Sequence, residues 1–281
     1  MSHIKSLIIT TILLFLIFPG FTDSDGDHHE EDELSLLNED GSLSLAHIHG
    51  IEFYEGTPLV ATHFGLIVYH EGDWEQIDSP EHDYMGFSLT EKGFYASGHP
   101  DPMTSLPNPL GIVFSNDLGK TFVPVAYYGE LDFHWLSAGY NTDFLYAYTS
   151  DSTITTPAGF YYSQDKGRTW QKPGLLGVGG KLITFKAHPQ IDGAIFISTT
   201  TGIFLSLDKG NNFFQMPGEM EGGALTITTD GKFLFSGSKK LRQLELSNKK
   251  LSSIPLPELD GDEILTHVAV SSVDIRKILI N

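Results

Sequence analysis

The chain has 281 residues, a formal charge of -19, and only 17 Lys and Arg against 36 Asp and Glu. That balance repels a phosphate backbone and excludes nucleic acid as a partner, while it suits cationic ligands and metal ions. Cysteine is absent, which excludes disulfides, thiol catalysis, zinc–thiolate sites and a lipid-modified cysteine at the N-terminus.

Lys5 precedes an apolar run from Leu7 to Phe18, which Pro19-Gly20 ends. The run has the length of a secretory core; a spanning helix needs about 20 apolar residues. Residues 1–22 are therefore expected to direct export, as a cleaved signal peptide. If uncleaved, residues 5–21 are the one expected membrane anchor. Residues 23–42 follow as an acidic linker that carries His28 and His29 among its carboxylates. They read as a solvated spacer rather than as a metal site.

Residues 43–281 read as one all-β domain of short strands separated by turn residues. Strands are expected in groups of four. Blade one takes 47–53, 58–62, 65–70 and 74–77. Blade two takes 85–89, 93–97, 110–115 and 121–125, interrupted by a Pro-rich loop over 99–109. Blade three takes 133–138, 144–149, 159–163 and 169–172, with a Ser/Thr-rich loop over 151–157. Blade four takes 182–187, 194–199, 202–206 and 212–216. Blade five takes 224–228, 233–238, 241–246 and 251–254. A sixth begins with 265–270 and 277–280 and lacks its outer strands. The expected fold is a β-propeller of about six four-stranded blades, the last incomplete, with exposed strand edges. A closing strand from residues 34–45 is the alternative.

Three turns share one pattern: Ser115-x-Asp117-x-Gly119, Ser163-x-Asp165-x-Gly167 with Trp170, and Ser206-x-Asp208-x-Gly210. The steps between their Asp residues, 48 and 43, are one blade each. The Asp carboxylate and Ser hydroxyl can accept backbone N–H groups of the turn, and the Gly can take a positive φ. These residues are expected to shape hairpins rather than to bind a ligand.

Twelve histidines are the main chemical hint. His47, His49, His134 and His267 stand at the starts of blades, and His63 and His99 follow second strands. Starts of first strands converge at one mouth of a propeller channel, and second strands return to that rim. Imidazoles there can form a thiol-free site for Cu, Zn or Ni. Hydrogen-bonded channel packing is the competing reading for each ring. His188 reads as structural.

The three turns resemble the Asp-box, the hairpin signature of bacterial neuraminidases and sortilin-like propellers. His47-Ile48-His49-Gly50, Ala61-Thr62-His63-Phe64-Gly65, Met85-Gly86-Phe87, Ser97–Pro102 and Asn108–Gly111 together resemble a group of exported bacterial Asp-box (BNR-repeat) propellers that go by the name glycosyl hydrolase or sialidase-like. The resemblance implies a propeller and no settled activity. A sialidase holds its substrate's carboxylate with three converging arginines. This chain has only Arg168, Arg242 and Arg276, at positions that cannot converge.

The preferred expectation is an extracytoplasmic binding or assembly module for a protein, peptide or glycan, with partners at the mouth or at the 99–109 and 150–156 loops. The alternative is a hydrolase of neutral sugars, which needs two carboxylates. Asp101, Glu130, Asp132 and Glu263 lie near rim loops, and Phe133, Trp135, Tyr140 and Tyr146 are candidates for a sugar-stacking wall.

Overall fold

Short strands that alternate β-branched or aromatic residues with small and polar ones must pair edge to edge and pack face to face. The computed structural model shows them doing so; it describes residues 13–15, 48–71, 73–153, 155–216, 222–256 and 264–280. All regular elements in it are strands, and among the described residues no helix is long and apolar enough to cross a membrane.

The protein is an all-β propeller of five antiparallel blades. Blade 1 is Ile48–Tyr54, Thr57–Thr62, Gly65–His70 and Asp73–Gln76. Blade 2 is Asp83–Thr90, Gly93–His99, Ile112–Ser115 and Val123–Ala126. Blade 3 is Trp135–Ala138, Leu145–Thr149 and Gly159–Ser163. Blade 4 is Leu182–Ala187, Ile195–Thr199, Gly202–Ser206 and Phe214–Gln215, and blade 5 is Ala224–Ile227, Phe233–Gly237, Leu241–Glu245 and Lys250–Ile254.

Five blades of three or four strands stand where about six, the last incomplete, were expected. After Val268–Val270 the chain turns and returns only as Ile278–Ile280, so the last sheet keeps a two-stranded hairpin. Leu13–Phe15 pairs with Ile278–Ile280 in parallel. The hairpin still closes the ring, because Val268–Val270 packs between the innermost strands of blades 5 and 1. The remainder of the expected leader, the 23–42 linker and the alternative strand from 34–45 lie outside the described residues.

Blade 3 also departs from expectation. Its fourth strand, expected over 169–172, shrinks to a single bridge between Tyr162 and Gln171. Pro173 follows at once and has no N–H to extend the ladder.

Apolar clusters fill the wedges between neighbouring sheets. Tyr84, Phe87 and Phe94 pack on Leu59 and Leu66 between blades 2 and 1. Phe160 and Phe185 join blades 3 and 4, and Val268 and Ile278 of the hairpin pack on Phe235 of blade 5. Buried serines add polar ties near the axis. Ser88 Oγ accepts from Ala138 N at 2.8 Å, and Ser137 Oγ accepts from Ala187 N at 2.9 Å. Each tie joins the innermost strands of adjacent blades.

The three Ser-x-Asp-x-Gly turns share one hydrogen-bond plan. Ser115 Oγ accepts from Gly119 N at 2.9 Å and donates to Asp117 Oδ1 at 2.8 Å. Asp117 then accepts from Thr121 N at 3.0 Å and Thr121 Oγ1 at 2.6 Å. Asp165 and Asp208 repeat the scheme with Thr169 and Asn212. Bonding to the charged form, first from the Thr169 hydroxyl, holds the Asp165 carboxyl down at about 2. Two successive residues take positive φ in each turn, Leu118 with Gly119, Lys166 with Gly167 and Lys209 with Gly210. These turns join third to fourth strands, at the end of the ring opposite the histidine-bearing rim.

Candidate functional site

In an up-down blade the first strand begins, and the second ends, at one rim. Blade 1 brings His49 and His63 there. Blade 2 brings Asp83 and His99, which face each other as register partners. Blade 3 brings Asp132 and His134 just before its first strand and Asp151 just after its second. The mouth opens on a cavity of about 650 Å³ lined by His49, Phe87, His134, Trp135, Lys186 and His267, among others.

The expected side chains form two groups, and His267 sits apart from both while it bonds the His49 backbone. His49 and His63 form the first group. Their Nε2 atoms lie 3.1 Å apart and their rings meet edge to face, with centroids at 4.6 Å. A β-bulge between Ile48 and Gly50 sets the His49 position. His63 Nδ1 lies 2.7 Å from Asp83 Oδ1. His47 lies outside the described residues.

The second group centres on Asp132. Its Oδ2 stands 3.4 Å from His134 Nδ1 and 3.7 Å from His99 Nε2. His99 Nδ1 is held at 2.7 Å by Asn108 Oδ1 from the Pro-rich loop. Asp132 is buried, and its Oδ1 has no hydrogen-bond partner among the described residues. Burial lifts the Asp132 carboxyl above its usual range; the His134 and His99 rings draw it back, and the Asp151 charge pushes it further up.

His267 lies in the channel wall, with Thr266 Oγ1 at 3.1 Å from its Nδ1 and a hydrogen bond to the His49 backbone. Part of the ring stays open to the channel, yet its neighbours crowd it closely. That desolvation, with the Lys186 ammonium beside it, lowers its pKa to about 4.

Other sequence candidates fall elsewhere. The Asp101 carboxylate accepts from Met103 N at 2.7 Å and from Glu81 N at 3.1 Å, so it fastens its loop to the connection between blades 1 and 2. Glu130 is exposed, and Glu263 lies outside the described residues. Phe133 and Tyr146 are fully buried and cannot form a stacking wall, and Tyr140 packs against the core between blades 1 and 2. Trp135 is 42% exposed and leans on Tyr148 with ring centroids 5.2 Å apart. His188 Nδ1 accepts from Gln190 N and Ile191 N, both at 3.1 Å.

Asp83 and Asp151 are site residues that the sequence reading did not select. The strand-start rule that picked out the histidines finds Asp83 when carboxylates are included. Asp151 follows the end of the second strand of blade 3, and its charge reaches the Asp132 carboxyl.

The arginines do not converge. Arg276 makes a two-bond contact with Asp274 in the hairpin turn, and Arg242 donates to Ser253 Oγ within blade 5. Arg168 belongs to the turn around Asp165.

No family model matches the chain. A stretch of 57 residues, 20% of this chain, is 39% identical to 7% of a xyloglucanase from Hypocrea jecorina. The fold is similar to a GH74 enzyme of Niastella koreensis, with a TM-score of 0.52 and 16% identity, over 83% of this chain and 40% of that one. It is also similar to a chain of the nidogen/laminin complex, with a TM-score of 0.50 and 11% identity, over 76% and 81%. These likenesses establish a β-propeller. The chain spans less than half the length of the GH74 enzyme and a small part of the xyloglucanase.

Proposed function

We propose that the protein is a glycoside-hydrolase-like propeller that takes a neutral glucan, of the xyloglucan type, at its channel mouth. The observation that carries this reading is Asp132. A buried carboxyl with raised proton affinity is what a general acid for glycosidic cleavage needs. Asp151, exposed and near enough for its charge to act on Asp132, is the second carboxylate of the pair. Trp135 and Tyr148 supply an apolar face beside them for a sugar ring. The local likeness to a xyloglucanase supports the substrate class, and the dispersed arginines speak against a sialoside.

This reading replaces the binding module as the first choice, supported by the local xyloglucanase likeness and by the unlike surroundings of Asp132, buried, and Asp151, exposed. We keep the Asp-box group as the family reading, on the three shared turns. We take the closing hairpin as a reduced sixth blade, since it fills a blade's place in the ring. Action outside the cytoplasm rests on the expected leader.

Calorimetric titration of the full chain with glucan, mannan and sialylated oligosaccharides tests the reading. Binding of a neutral glucan that survives in Asp132→Asn and weakens about tenfold or more in Trp135→Ala supports it. A preference for sialosides, or indifference to Trp135→Ala, contradicts it.

A further inference from the structure

The His49–His63–Asp83 group plays no part in the glycosidic site. Its three candidate donor atoms all lie within 4.8 Å of one another. Imidazole nitrogens about 2.0–2.1 Å from one ion, at angles between square and tetrahedral, stand about 2.9–3.3 Å apart. The observed Nε2–Nε2 separation of 3.1 Å falls inside that interval.

Asp83 prepares the His63 ring. With Asp83 Oδ1 at 2.7 Å from Nδ1, the ring proton is favoured on Nδ1, and the Nε2 lone pair is turned toward His49. This is the carboxylate–histidine arrangement that orients metal-bound imidazoles. Asp83 Oδ1 is shielded from solvent, and beyond the His63 ring no hydrogen bond reaches it among the described residues. All three residues are partly exposed at the rim, so an ion can enter from the mouth. The donor set is two nitrogens and a carboxylate without thiolate, which suits Cu(II), Ni(II) or Zn(II) and disfavours Cu(I).

We propose that His49, His63 and Asp83 bind one divalent transition-metal ion, with Cu(II) held most tightly of the three. Asp83 acts as an oxygen ligand or as the orienting partner of His63. His99 and His134 stay with Asp132 and take no part, and neither does His267.

The full chain, stripped with chelator and titrated with Cu(II), is expected to bind one tight equivalent. Its frozen-solution EPR spectrum should show hyperfine structure from two imidazole nitrogens. His49→Ala and His63→Ala should each weaken binding at least about 100-fold, and Asp83→Asn by about 10–100-fold. His28→Ala/His29→Ala, in the acidic linker, should leave the tight equivalent intact. Should an alanine variant fail to fold, the EPR signature of the native chain still decides. Absence of a tight equivalent overturns the proposal. So does binding that persists without His49 and His63, or that disappears with His28 and His29.

Discussion

Lys186 Nζ meets Glu52 Oε1 at 2.7 Å across the channel, joining the innermost strands of blades 4 and 1. Both side chains are largely buried, at 22% and 21% exposure. Removing one charge strands the other in a poorly hydrated place. Glu52→Gln should therefore cost about 1–3 kcal/mol in urea unfolding. Glu52→Gln combined with Lys186→Met should recover most of that loss. Additive losses in the double variant would show that the two residues act separately.

Ser115 is buried and serves three partners in its turn: Gly119 N, Asp117 N and the Asp117 carboxylate. Ser115→Ala leaves the two N–H groups without their acceptor. A loss of about 1–3 kcal/mol is expected. Ser163→Ala, in the equivalent turn, should behave the same way. Both are measurable by denaturant titration, and a neutral result in both would show that the turns hold without their serines.

His188 is buried against Phe196, and desolvation lowers its pKa to about 4. The folded state thus binds the proton less well than the unfolded chain, whose histidine titrates near 6.5. Its contribution to stability is present above about pH 6.5 and is lost as pH falls toward 4. His188→Asn retains an acceptor for Gln190 N and Ile191 N. The stability gap between wild type and this variant should narrow between pH 7 and pH 4. A gap that stays constant over that range contradicts the assignment.

Asp132 works in the opposite sense. Its raised carboxyl pKa means the folded state holds the proton more tightly than the unfolded one. Stability from this group is full below the unfolded value near 3.9 and falls as pH rises through the higher folded value. Asp132→Asn should consequently melt at the same temperature as wild type, or higher, at pH 7, and lose that advantage near pH 4. A variant less stable at pH 7 than at pH 4, relative to wild type, would show a charge-stabilised Asp132.

The blades were legible in the sequence because strand alternation and repeated turns are local signals. Gly65–His70 and Leu182–Ala187 have the expected bounds. The two strands of the last hairpin, expected over 265–270 and 277–280, were legible as well; its closure of the ring between blades 5 and 1 was not, because no local pattern encodes that contact. The fourth strand of blade 3 shrank to one bridge beside Pro173, a breaker that the strand reading did not weigh. At the mouth, strand position placed His49, His63, His99 and His134 at the rim but not their division between Asp83 and Asp132. That division depends on which blades are neighbours and on the register of Asp83 against His99. Burial of Phe133 and Tyr146 likewise follows from blade-to-blade packing.

The most direct test of the glycosidic reading is release of new reducing ends from neutral glucans by the full chain and by Asp132→Asn. Hydrolysis by the wild type, reduced at least about 100-fold in Asp132→Asn and similarly in Asp151→Asn, is the predicted result. Hydrolysis that survives in Asp132→Asn, or a folded wild type that binds these glucans without cleaving them, would contradict it.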